Sequence, residues 1–151
     1  MLMKKGIDHI GVGVGGVILN SAGKVFLAKR GRDARNESGK WEFPGGSVEF
    51  GELLKDALVR EVLEEYGFTI SVDLLLGVVD HILLREKQHW VSPTYLCRYV
   101  NGEPRILEPN KCDEIGWFAV DTIPVDKLSS ASRDSLSCFR LHFAEKGELS
   151  L

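Results

Sequence analysis

Apolar and polar positions along this chain follow two different periods, and the switches between them mark its elements. Gly11 to Leu19 is almost wholly apolar and rich in Val and Ile, which predicts a buried strand. Asn20-Ser21-Ala22-Gly23 is a turn signal, and Lys24 to Lys29 predicts a second strand. Arg30 to Lys40 is charged and includes Gly31 and Gly39, so it predicts a loop. Trp41 to Phe43 predicts a short extended piece, stopped by Pro44-Gly45-Gly46. Glu52 to Tyr66 is rich in Leu, Glu, Ala and Lys and has no Gly or Pro. It predicts a helix ending at Gly67, where glycine suits a left-handed C-terminal cap. Phe68 to Val79 and Trp90 to Val100 predict strands, and Pro93 puts the second at an edge or a bulge. Asn101-Gly102 predicts a hairpin turn continued by Glu103 to Ile106. Trp117 to Val120 predicts a short strand. Leu136, Phe139 and Phe143 fall at helical spacing, which predicts a second helix over Ala131 to Glu145. Strands with two separated helices predict an α/β fold: a mixed sheet covered on both faces.

Composition narrows the class. The 151 residues fit one domain, residues 1–151. With 44% hydrophobic and 27% charged residues, general disorder is excluded. A net charge of -3 argues against a broad basic surface for nucleic acid. Cys97, Cys112 and Cys138 are odd in number and form no CxxC pair. That argues against a structural zinc site or a disulfide framework and for a reducing compartment. Asp8 and His9 interrupt the apolar N-terminus, and no run approaches the roughly 18 residues of a membrane helix. The expectation is a cytoplasmic protein with no membrane partner.

Gly11, Gly13 and Gly16 satisfy GxGxxG, yet a dinucleotide fingerprint must follow a strand and open a helix. Here the glycines lie inside one strand pattern and the next segment is also strand-like. They are read instead as sites of close approach by another backbone or helix.

Chemistry concentrates between Gly46 and Phe68. On a helix, Glu61, Glu64 and Glu65 fall within an arc of about 100°. Like charges four apart, here Glu61 and Glu65, destabilise a helix by about 0.2–0.5 kcal/mol. Arg60 can reach Glu64, which leaves two negative charges uncompensated. An oxygen-only cluster suits a hard divalent cation such as Mg²⁺, which keeps waters for substrate phosphates. Val59, Val62, Leu63 and Tyr66 on the other face should anchor the helix to the sheet. Glu49 and Glu52 add carboxylates near its start. The alternative is a solvated charged face behind a glycine loop.

The spacing Gly46, five residues, Glu52, seven residues, then Arg60-Glu61-Val62-x-Glu64-Glu65-x-Gly67 resembles the signature of the Nudix hydrolases. Those enzymes cleave nucleoside diphosphates linked to another moiety. Phe68 departs from the aliphatic residue usual at the last position, which is a packing position. Such a match arises by chance in on the order of one window in 10⁸. Weaker resemblance covers GVGVGGVILNSAGKVFLAKR, WEFPGG and EIGWFAVDTIP.

The resemblance implies an α/β/α sandwich with a mixed central sheet. It also implies Mg²⁺ or Mn²⁺ held by Glu61, Glu64 and Glu65 with the carbonyl of Gly46. Glu61 would accept the proton of the attacking water, as in several relatives; others take the base from a loop elsewhere. Arg60 would orient the glutamates, and Glu52 would either support them or bind through water. A carboxylate outside the motif often completes the site, and Glu108, Asp113 and Glu114 are candidates. Lys29 and Arg30 are placed to reach phosphates, and Trp41 and Phe43 to stack on a base; surface charge and core packing are the respective alternatives. The flanking segments look most like the group that converts nucleoside triphosphates to monophosphate and pyrophosphate. ADP-ribose or a nucleotide sugar is the other substrate class, and relatives are often homodimers. A nucleotide sensor without catalysis and an RNA-binding protein using Lys29 to Arg35 are the remaining classes. The first usually lacks a motif glutamate, and the second needs a larger basic patch than KRGRDAR.

Overall fold

A computed structural model of the protein describes residues 2–147. Its strands are β1 (Gly11–Leu19), β2 (Val25–Arg30), β3 (Trp41–Glu42), β4 (Gly45–Ser47), β5 (Thr69–Leu83), β6 (Gln88–Asn101) and β7 (Cys112–Phe118). Helix α1 (Leu54–Tyr66) follows β4, and α2 (Ser130–Glu145) follows β7. The sheet runs β3-β2-β1-β6-β5, with β4 paired to β1 and β7 to β2. It is mixed: β1 and β6 are parallel and the other pairs antiparallel.

The period-2 alternation of the central strands sorts the core into two halves. Val14 and Ile18 of β1 and Phe26 and Ala28 of β2 face α1, meeting Ala57, Leu58, Val62 and Tyr66. Val17, Val25 and Leu27 face the other way, against Leu136 and Phe139 of α2. The result is the α/β/α sandwich expected from the motif. Two cores anchored on the same strands leave β1 rigid, and β1 is what carries β4 and the loop into α1. The glycines of the rejected fingerprint lie within β1, and a Cβ on Gly16 would stand 3.0 Å from Leu58. Among the described residues no helix is long and apolar enough to cross a membrane.

Several expectations need correction. The first helix begins at Leu54, not Glu52: Glu52 N–H donates to the Glu49 carbonyl in a turn, and Leu53 is extended. Leu63 is half exposed rather than part of the anchoring face. β3 does end before Pro44, but the glycines after it are not a plain break: Gly45–Ser47 forms β4 and pairs with Gly13–Gly15. β6 is no edge strand, since β1 and β5 flank it, and the β1–β6 ladder simply skips the residues around Pro93. The β5–β6 register shifts lie away from Pro93: two leave an extra residue on β5 and one, at Val100, on β6.

The hairpin at Asn101-Gly102 is absent, because with both edges of β6 occupied Glu103–Ile106 has no strand to join. The segment turns back to α1. Arg105 N–H donates to the Tyr66 carbonyl (2.9 Å) and Leu107 N–H to that of Glu65 (3.1 Å), satisfying acceptors the helix end leaves open. β5 runs on to Leu83, and the last strand starts at Cys112 rather than Trp117. Val120–Thr122 is a single 3₁₀ turn.

Candidate active site

Helix α1 packs by Ala57, Leu58, Val62 and Tyr66, so Glu61 and Glu65, one turn apart, project beside β4. The Glu61 carboxyl carbon lies where a side chain on Gly46 would go: a Cβ there would be 2.2 Å away. Only glycine leaves room for the carboxylate against that backbone.

Arg60 organises the motif from behind. Its Nε and Nη2 donate to the two oxygens of Glu52 (2.6 and 2.9 Å), a bidentate pair. Nη1 donates to Glu61 and to Glu64 (3.1 Å each), and Nη2 also donates to the Ser47 carbonyl (3.1 Å). The hydrogen bonds from Arg60 hold the Glu52 carboxyl down to about 2. The same contacts raise Arg60, which stays cationic. Glu52 is thus one residue removed from the glutamate pair, holding the arginine that holds Glu61.

Glu65 is pushed up to about 9, first by burial and then by hydrogen bonding and repulsion from Glu61, with Glu42 and Glu108 adding to it. Burial and the neighbouring Glu61 favour the protonated form of Glu65 unless a cation takes the proton's place. Mg²⁺ takes one or two carboxylates and completes its shell with carbonyl, water and phosphate oxygens. Glu61 and Glu65 fit that demand. Glu64 is not brought together with them; its side chain is 59% exposed and turned to Arg60. Accordingly no three acidic, His or Cys side chains among the described residues are gathered as a ready cage.

The pair lines a cleft of about 460 Å³. Arg30 lines it but is engaged, ion-paired to Glu42 and donating from Nε to the Asn36 carbonyl (2.7 Å). Burial raises Glu42 against the pull of Arg30. Phe43 lines the cleft from its buried position, its N–H donating to Ser132 Oγ (3.0 Å). Trp41 does not reach the cleft: its indole packs edge-on to Phe118, with centroids 5.1 Å apart, inside the α2-side core. Lys29 is likewise absent from the lining and sits between Trp41 and Glu114 in the sheet. Of the three outside carboxylates, Glu108 lines the cleft, while Asp113 and Glu114 do not.

Sequence reasoning did not single out Glu42, Trp90, Arg35 as a cleft residue, or the serines of α2. Trp90, Ser92, Thr94, Ser132 and Ser135 also line the cleft. Only the KRGRDAR cluster carried a hint of Arg35. The others gain their place from sheet register.

A helix that sets two glutamates against a glycine strand, with an arginine bracing them, is the arrangement its spacing promised, and the NUDIX domain model matches residues 9–138. The chain belongs to the Nudix hydrolase family. A MutT NUDIX hydrolase from Burkholderia pseudomallei superposes with a TM-score of 0.75 at 40% identity, covering 85% of this chain and 97% of that one. The oxidized purine nucleoside triphosphate hydrolase of Danio rerio is 33% identical over 116 residues, 74% of this chain and 69% of that protein. The ADP-ribose pyrophosphatase of Methanocaldococcus jannaschii is 32% identical over 116 residues, 77% of this chain and 66% of that protein. The chain spans as little as 34% of the length of another curated relative it matches.

Proposed function

We propose that this protein is a divalent-metal-dependent pyrophosphohydrolase that converts a nucleoside triphosphate to the monophosphate and pyrophosphate. The observation that carries this reading is Glu61 seated against Gly46, with Glu65 one turn on, in a cleft of nucleotide size. Glu61, Glu65 and the Gly46 carbonyl would hold Mg²⁺ or Mn²⁺; Glu108 lines the same cleft, and Glu64 would join only by a rotamer change away from Arg60. A bound divalent ion neutralises phosphate oxygens and lowers the pKa of a coordinated water. The chain's own part is positioning. Glu52 fixes Arg60, and Arg60 fixes Glu61. Glu61 is the carboxylate assigned to accept the proton of the attacking water. Water oxygen then bonds to one phosphorus of the bridge between the α and β phosphates, the bridging P–O bond breaks, and the bridging oxygen leaves with the electron pair on the other product.

A triphosphate substrate is supported by the Danio rerio relative. A second reading, hydrolysis of ADP-ribose or a nucleotide sugar, is supported by the Methanocaldococcus jannaschii relative at nearly the same identity. Incubation with Mg²⁺ and a panel of nucleoside triphosphates, ADP-ribose and nucleotide sugars, with products identified, tests the two together. Monophosphate plus pyrophosphate from a triphosphate is expected. No Mg²⁺-dependent hydrolysis of any member would refute the reading.

A further inference from the structure

The loop between β2 and β3 is fastened to the fold at the Arg35 carbonyl and at the next two residues, Asn36 and Glu37. Asn36 Nδ2 donates to Gln88 Oε1 (2.9 Å), and Gln88 Nε2 donates to the Arg35 carbonyl (3.3 Å). Trp90 Nε1 also donates to Gln88 Oε1 (3.3 Å), so the amide joins the loop to the Trp90 ring. Glu37, at φ +45°, accepts from Ser130 N–H (2.9 Å) and Ser130 Oγ (2.8 Å) and pairs with His81 Nε2 (3.0 Å). A non-glycine residue holds a left-handed conformation only where its surroundings enforce it, and these bonds do so.

Among this clamped set, Arg35 stands apart. Its guanidinium lies 4.4 Å over the Trp90 ring and lines the cleft. It pairs with no carboxylate among the described residues, whereas Arg30 is paired with Glu42 and Lys111 stands 3.7 Å from Glu108. Burial and nearby Arg30 lower the Arg35 guanidinium from its ordinary value, and Glu61 acts in the opposite sense, so all three share one electrostatic field. A planar guanidinium stacked on an indole keeps its edge donors free. Arg35 thus lines the same cleft as the glutamate pair.

We propose that Arg35 binds the phosphate chain of the substrate in the cleft it shares with Glu61 and Glu65, and that it selects a triphosphate over a diphosphate bridged to a sugar. The selection follows from charge. A triphosphate carries a terminal phosphate, with its additional negative charge, beyond the reacting diphosphate, and Arg35 is the cleft cation left without a partner to receive it. This inference rests on the pyrophosphohydrolase reading above. The clamp through Gln88 and Glu37 explains how one loop residue is held for that role.

The test compares wild type, Arg35→Ala and Arg35→Lys with Mg²⁺ and two substrates, a nucleoside triphosphate and ADP-ribose. Losing a hydrogen-bonded charge should raise KM for the triphosphate about tenfold to a hundredfold with kcat little changed. KM for ADP-ribose should move much less, and Arg35→Lys should recover part of the loss. Equal losses for both substrates would overturn the selectivity, and an unchanged KM would overturn the contact. Should wild type hydrolyse neither, the pyrophosphohydrolase reading fails on its own. Calorimetric binding of a methylene-bridged triphosphate analogue then decides Arg35: weaker binding by Arg35→Ala supports it and equal binding overturns it.

Discussion

The carboxylate of Glu61 occupies the space that a side chain at Gly46 would need, 2.2 Å from the position of a Cβ there. The backbone of Gly46 is outside the left-handed region, so alanine is permitted there by conformation. Gly46→Ala should therefore leave the fold intact and push the Glu61 side chain off its seat. Activity should fall by about a hundredfold or more, the scale on which small misplacements act in catalysis. Steady-state assays beside a thermal melt check this. Near-normal turnover with an unchanged melt would show that the contact does not matter.

Glu61→Gln and Glu65→Gln keep the shape of each side chain and remove its charge. Each should abolish most Mg²⁺-dependent turnover while circular dichroism stays as in wild type. Glu64→Gln should cost less, because that side chain is exposed and turned toward Arg60. Equal losses at all three positions would mean that Glu64 rotates inward during turnover.

The raised Glu65 carboxyl sets a pH dependence. Its folded value of about 9 lies above its ordinary 4.5, so in metal-free protein the protonated form is favoured by folding. That contribution is complete below pH 4.5 and is lost as pH rises through 9. Melting temperature without metal should thus decline between these limits, and Glu65→Gln should flatten the decline. Mg²⁺ must displace that proton, so its binding should weaken as pH falls and should release a proton near neutrality. Calorimetry in buffers of different ionisation enthalpy measures that release. A buffer-independent heat would rule out the proton on Glu65.

Trp41 separates packing from recognition. The indole is buried against Phe118 and away from the cleft. Trp41→Ala should destabilise by about 3–5 kcal/mol. KM, measured well below the melting temperature, should not change. A raised KM with small loss of stability would return Trp41 to the substrate.

What was legible in the chain follows from range. The helix α1, its acidic face and Gly67 as its cap depend on residues within a few turns, and spacing alone reveals them. The buried character of β1 is equally local, since nine nearly apolar residues have nowhere else to go. Other features depend on who the neighbour is. Pro93 and Gly45-Gly46 look like strand breakers until β1 is seen to accept β4 and to skip a step beside β6. Asn101-Gly102 is a hairpin signal that fails for want of a free edge. The orientation of Glu64 depends on Arg60 already holding Glu52, and the placement of Arg35 on a glutamine more than fifty residues away. Such facts belong to the assembled sheet, and no local period encodes them.

The most direct test of the metal assignment is a crystal structure with Mn²⁺ and a methylene-bridged nucleoside triphosphate, read by the anomalous signal of the metal. An ion bound by Glu61, Glu65 and the Gly46 carbonyl, with a phosphate oxygen completing its shell, is the predicted result. Manganese bound elsewhere, with Glu61 and Glu65 left without it, would contradict it.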